Sequence, residues 1–199
     1  MTPNRLRTLL LAVTALLAAL VFLAWSQRWF TLSLVTSSGD PAPLEVGGDV
    51  AASALAPLAL TVLAIVAALA LAGPVLRTVF GVLETLVGAC VVAVTVVTIA
   101  DPVQASASAV TDVTGVAGAD SVAELVADVD VSAWPVVAIV LGSLIGVTGL
   151  LVAVTARRWP VSGRKYSRTR IASADGAASD PVAEWDALSD GDDPTAPSR

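Results

Sequence analysis

The sequence predicts an all-α membrane protein, a four-transmembrane-helix bundle with both termini in the cytoplasm (N-in/C-in) and a disordered cytoplasmic C-terminal tail. Three observations lead there. The chain has 199 residues, of which 56% are hydrophobic and only 14% charged, against roughly 25% charged in a typical soluble domain. The apolar residues fall into four long runs, and run length is what distinguishes a membrane span from a core element. The basic residues gather beside alternate ends of those runs, as the positive-inside rule requires of cytoplasmic flanks.

Residues 1–7 form a short cytoplasmic N-terminus with Arg5 and Arg7. Residues 8–26 are nearly all Leu, Ala and Val without charge, and at 1.5 Å per residue they cross most of a hydrocarbon core of about 30 Å. A cleaved signal peptide is the rival reading, since Ala24-Trp25-Ser26 loosely fits a small-x-small cleavage site. The run exceeds the usual apolar region of a signal and ends in aromatic residues, which favours an anchored span. Residues 27–50 read as an extracytoplasmic loop, punctuated by Ser37, Gly39, Pro41, Pro43, Gly47 and Gly48. Residues 51–72 are the second span, with Pro57 in its first two turns, where proline is tolerated or kinks the helix. Residues 73–78 form a cytoplasmic hinge with Gly73, Pro74 and Arg77, and 79–100 the third span. Residues 101–133 make an acidic extracytoplasmic loop with Asp101, Asp112, Asp120, Glu124, Asp128 and Asp130 and no basic residue. Within it Val122, Leu125, Val126 and Val129 share one side of a candidate short amphipathic helix, which Asp120 or Ser121 can cap. The fourth span is 134–156, and 157–199 is a basic, then acidic, cytoplasmic tail.

Trp25 and Trp29 bracket the outer end of the first span, Trp134 and Trp159 the two ends of the fourth, and all four read as interfacial anchors. Gly142, Gly146, Gly149 and Ala153 recur at helical spacing on the fourth span, and Gly81, Thr85 and Gly88 on the third. Small residues so placed let backbones approach closely. Packing inside the bundle is the favoured use, with a homo-oligomer left open.

Glu84 breaks the apolar pattern. Counted from the start of the third span it lies 7–8 Å inside the membrane by helical rise. Its functional reading is a proton relay or a substrate contact; its plain reading is a carboxyl group near the headgroups or facing another helix. No second intramembrane charge is present to complete a pathway.

After the fourth span, Arg157, Arg158, Trp159, Arg164 and Lys165 form a candidate membrane-surface cluster, suited both to stopping translocation and to attracting anionic lipid. Residues 171–180 are a flexible linker by composition. Beyond them, Val182, Trp185 and Leu188 would share one face of a short helix, followed by Asp192, Asp193 and Pro194. Such a helix is marginal alone in water, and a tryptophan in an acidic tail suits an anchor buried in a partner's pocket. Trp185, Leu188, Asp192, Asp193 and Pro194 are therefore candidate partner-docking residues, with an unstructured tail as the alternative.

The chain contains no histidine and one cysteine, Cys90. That removes the commonest general base and metal ligand and excludes Ser/His/Asp and Cys/His sets. There is no P-loop or dinucleotide fingerprint either. The expectation is a protein without catalytic residues, cofactor or metal. Its expected partners are the lipid bilayer and a cytoplasmic protein, not nucleic acid.

The tail also carries a resemblance. Arg157-Arg158-Trp159-Pro160 followed by Arg164-Lys165-Tyr166 resembles the RRWP…RY signature of the Trp biosynthesis-associated membrane protein family. Trp185 to Thr195 resembles that family's WDALSRGEDPT-like end, departing at Asp190, where a basic residue is usual, and at Asp192, where Glu is common. Helix count, loop order and the aromatic close of the first span are also similar. The resemblance implies an actinobacterial cytoplasmic-membrane protein whose gene lies beside those for tryptophan biosynthesis. It implies no activity and no catalytic residues. Two functions follow as expectations: an accessory or scaffold protein whose tail docks a cytoplasmic partner, or a small oligomeric exporter of an aromatic metabolite.

Overall fold

The computed structural model describes residues 3–35 and 42–156. In chain order, α1 (Pro3–Trp25) leads into strands β1 (Arg28–Leu34) and β2 (Ala42–Gly47), then the single turn α2 (Gly48–Ala51) and α3 (Leu55–Leu71). After α4 (Pro74–Ala100) come three short helices, α5 (Pro102–Ala105), α6 (Ala107–Thr114) and α7 (Ala119–Leu125). Strand β3 (Val126–Val131) and α8 (Trp134–Thr155) complete the described chain.

Three helices, α1, α4 and α8, are long and apolar enough to cross a membrane, and α3 is an apolar helix of 17 residues. The four form a closed ring, α1 against α3, α3 against α4, α4 against α8, and α8 back against α1. On α1 the inward stripe is Leu10, Thr14, Leu17, Val21 and Ala24, spaced by three or four residues, while Leu9, Leu16 and Leu23 face outward. The outward faces of α3, α4 and α8 are equally apolar, with Leu60, Leu63, Val82, Leu86, Val97, Val140 and Val154 exposed. A surface this apolar on all sides suits a lipid solvent.

The α4–α8 seam is the closest approach. A Cβ added to Gly88 would lie 2.5 Å from Gly146 N and 2.7 Å from Gly142 O. One added to Gly81 would lie 2.6 Å from Ala153 N, and one added to Gly149 2.6 Å from Thr85 N. The small residues expected to face inward thus do so, backbone to backbone, and the Thr85 hydroxyl lies 3.0 Å from Gly81 O in its own helix and 3.3 Å from Gly146 O across the seam.

The ends of the ring differ. The segments read as loops are folded into a cap at one end. Strands β2-β1-β3 form an antiparallel sheet. Trp29, Phe30, Leu32, Leu34 and Val46 are buried in a core shared with Leu55, Val110, Val122 and Ala138 at the helix ends. The other sheet face carries Thr31, paired with Glu45 on one side and Asp130 on the other. The expected amphipathic helix is present only as α7, introduced by Gly118 rather than capped by Asp120 or Ser121. Val126 and Val129 belong to β3 instead, because pairing with β1 satisfies backbone groups that a short exposed helix leaves to water. The second apolar run is also divided. Residues 48–51 form α2, and α3 starts at Leu55 with Pro57 inside its first turn. The expected hinge shrinks to Ala72 and Gly73, since Pro74 opens α4 at a position where its missing N–H costs nothing.

Trp29 is corrected from an interfacial anchor to a core residue. It is fully buried, and its indole N–H donates to Ala24 O at 2.8 Å. Gly48 passes directly over it, where an added Cβ would meet the indole at 2.6 Å.

Candidate functional site

Because α4 begins at Pro74, Glu84 is ten residues into the helix, about 15 Å along its axis. That is further along its helix than a span starting at residue 79 implies. The side chain is fully buried on the face of α4 that carries Gly81 and Gly88. Its Oε1 accepts a hydrogen bond at 2.9 Å from Thr14 on α1 and another at 2.9 Å from Thr148 on α8. Thr14 and Thr148 are themselves buried. One carboxyl group therefore ties three of the four ring helices together, directly beside the glycine seam.

The Thr148 hydroxyl also lies 2.9 Å from Ile145 O. A hydroxyl has one proton, so it serves one acceptor at a time. Two arrangements fit this geometry. Thr148 donates to Glu84, or it donates to Ile145 O and accepts a proton carried by the carboxyl group. Glu84 Oε2 is buried and has no hydrogen-bond partner. The cluster can thus bind helices to each other and can hold a proton. Among the described residues it includes no nucleophile–base pair.

Glu84 stands out in the sequence as the one charge within an apolar run. Thr14 and Thr148 do not, because single threonines inside apolar helices usually return their hydroxyl to the preceding turn, as Thr95 does to Val91 O. Only the ring order shows that they meet one carboxylate.

The opposite end from the cap is basic. Arg7 on α1 donates to Ala70 O in the last turn of α3, and Arg77, in the second turn of α4, is only 3% exposed. The candidate membrane-surface residues Arg157, Arg158, Trp159, Arg164 and Lys165 lie outside the described residues. So do the candidate docking residues Trp185, Leu188, Asp192, Asp193 and Pro194.

No curated protein and no solved structure matches this chain. The family of tryptophan-associated transmembrane proteins matches it over residues 11–195, from within α1 to the end of the acidic tail motif. With three helices fit to cross a bilayer, an apolar outer surface and a match over nearly its whole length, the chain belongs to the family of tryptophan-associated transmembrane proteins.

Proposed function

We propose that this protein is a non-enzymatic accessory protein of the bacterial cytoplasmic membrane. It crosses four times with both termini inside, and the segment beyond α8 docks a soluble cytoplasmic partner, a tryptophan-pathway enzyme being the natural candidate. One observation carries the reading. The family match does not stop at the last apolar helix but continues for about forty residues, through Trp185 and Leu188 to Thr195. An aromatic anchor on a membrane-tethered segment concentrates its partner at the surface without any chemistry of its own.

The distribution of charge supports the orientation. Arg5, Arg7 and Arg77 lie at one end of the ring, while the capped end carries Asp101, Asp112, Asp120, Glu124, Asp128 and Asp130 with Arg28 as its sole basic residue. At 17 residues, α3 is within the range that spans a bilayer. A cytoplasm-dependent reporter fused after Asp120 is expected to be inactive and the same reporter after Arg199 active; the reverse pattern overturns the orientation. For docking, full-length protein crosslinked in living cells should capture a soluble enzyme, and Trp185→Ala should abolish the capture. An unchanged set of captured proteins would refute it.

Glu84 favours a second reading, a small oligomeric exporter of an aromatic metabolite, since buried carboxyl groups in membranes often line ion or substrate paths. The fully enclosed cluster with its hydroxyl partners argues for the accessory role. Tryptophan efflux that falls in Glu84→Gln, with the protein still folded, would reverse that preference.

A further inference from the structure

Glu84 is the one acidic residue in the four helices of the ring. Helices α3 and α8 carry no charged residue, α1 carries Arg5 and Arg7, and α4 carries Arg77 besides Glu84. Arg77 shares the buried face of α4 but stands seven residues earlier, about 10 Å along the axis. Arg7 stands as far before Thr14 on α1, and Arg5 further. The contacts of the carboxyl group itself are neutral. Oε1 meets the Thr14 and Thr148 hydroxyls at 2.9 Å each, and the buried Oε2 meets no donor. Among the described residues, then, no ion pair reaches Glu84.

Counting protons separates the two arrangements that the distances allow. An ionised carboxylate accepts at both oxygens, yet here two neutral hydroxyls would crowd one oxygen and none would serve the other. A buried charge so sparsely bonded is the costly case, because two hydroxyls replace little of its hydration. A neutral acid uses every proton. Thr14 donates to Oε1, Oε1 carries the acid proton and donates it to Thr148 Oγ1, and Thr148 donates to Ile145 O at 2.9 Å. Three hydroxyl protons then have three acceptors. The atom left over, Oε2, is an uncharged carbonyl oxygen, and its desolvation costs far less than that of an anion.

We propose that Glu84 is a proton-binding site: near neutral pH its Oε1 carries a proton donated to Thr148, held there by the packing of α1, α4 and α8. The site is independent of any partner of the tail. It couples the bundle to pH. A glutamate in water releases its proton around pH 4.3. Above that the unfolded chain binds fewer protons than the folded one, so stability falls as pH rises, by up to about tenfold in the folding constant per pH unit.

The test uses full-length protein in dodecyl maltoside, a detergent without carbonyl groups, and infrared difference spectra against Glu84→Gln at neutral pH. Wild type should show a carboxylic-acid C=O band at the end of its range typical of a carbonyl without hydrogen bonds, since Oε2 has no donor. Thr148→Val, which removes the acceptor of the acid proton, should shift that band. Absence of the band overturns the proposal, and a band that Thr148→Val leaves in place overturns the assignment of the proton to the Thr148 contact. If Glu84→Gln does not fold, ¹³C labelling of the four glutamates replaces it: the band should move with the label and persist in Glu45→Gln, Glu124→Gln and Glu184→Gln. Loss of the band in any of these three overturns the proposal. In unfolding titrations at rising pH, wild type should lose stability relative to Glu84→Gln; identical pH dependence in the two overturns the coupling.

Discussion

The glycine seam makes a prediction with its own internal control. A methyl group at Gly88 would sit 2.5 Å from Gly146 N and 2.9 Å from Gly146 Cα. These are backbone atoms of a packed helix and cannot rotate away. Restoring even a tight 3.4 Å contact requires α4 and α8 to part locally by about 0.9 Å. The same displacement would carry Thr148 Oγ1 from 2.9 Å to beyond hydrogen-bond range of Glu84. Overpacking of this kind costs about 1–3 kcal/mol, partly offset by alanine's better helix propensity, up to about 1 kcal/mol. Gly146 lies on the same seam, yet its added Cβ would meet nothing nearer than Thr85 O at 3.8 Å, an ordinary contact. Gly88→Ala should therefore lower stability by about 1–2 kcal/mol, and Gly146→Ala should be neutral or slightly stabilising. Unfolding in mixed micelles, followed by far-ultraviolet circular dichroism against the fraction of denaturing detergent, measures both. Equal losses, or a larger loss at Gly146, would refute the seam geometry.

Other substitutions test the remaining parts. Glu84→Gln keeps an oxygen to accept from Thr14 and Thr148, so it should stay within about 1 kcal/mol of wild type in the same assay. Glu84→Ala, which opens a void among three helices, should cost about 2–4 kcal/mol; equal losses would show that charge, not packing, is what the site needs. Trp29→Phe removes the bond to Ala24 O and should cost about 1 kcal/mol, seen as faster proteolysis of the cap. Gly48→Ala, which meets Trp25 O and the Trp29 indole at 2.6 Å each, should loosen the cap more than Trp29→Phe does. The Arg28–Glu45 ion pair has both side chains more than half exposed, so Arg28→Gln should change stability by less than about 0.5 kcal/mol.

The cap was the least legible part of the chain, and its strands show why. Phe30, Leu32 and Leu34 alternate with Thr31 and Ser33, a period of two that is visible in retrospect. The neighbouring Ser, Gly and Pro residues, with Pro43 inside β2, outweighed it, although proline is acceptable on an edge strand. In 122–131 the valines fit both periods over so short a stretch. Val122, Leu125, Val126 and Val129 suit a helix, while Val129 and Val131 alternate with Asp128 and Asp130 as in a strand. The choice is made by β1, which lies almost a hundred residues earlier and offers an open edge to Val126–Val131. A local pattern cannot show that edge.

The number and approximate places of the apolar runs, the break at Trp134 and the separation of basic from acidic segments along the chain are legible in the sequence alone, whereas the start of α4 at Pro74 and the division of the second run are not. Hydrophobic run length and arginine placement are local quantities, and the bilayer acts on them one segment at a time. The neighbours of Glu84 were decided only by tertiary structure. Thr14, Glu84 and Thr148 are 70 and 64 residues apart along the chain. They share hydrogen bonds because the ring order α1–α3–α4–α8 and the missing side chains at Gly81, Gly88 and Gly149 bring three backbones close enough for short side chains to touch.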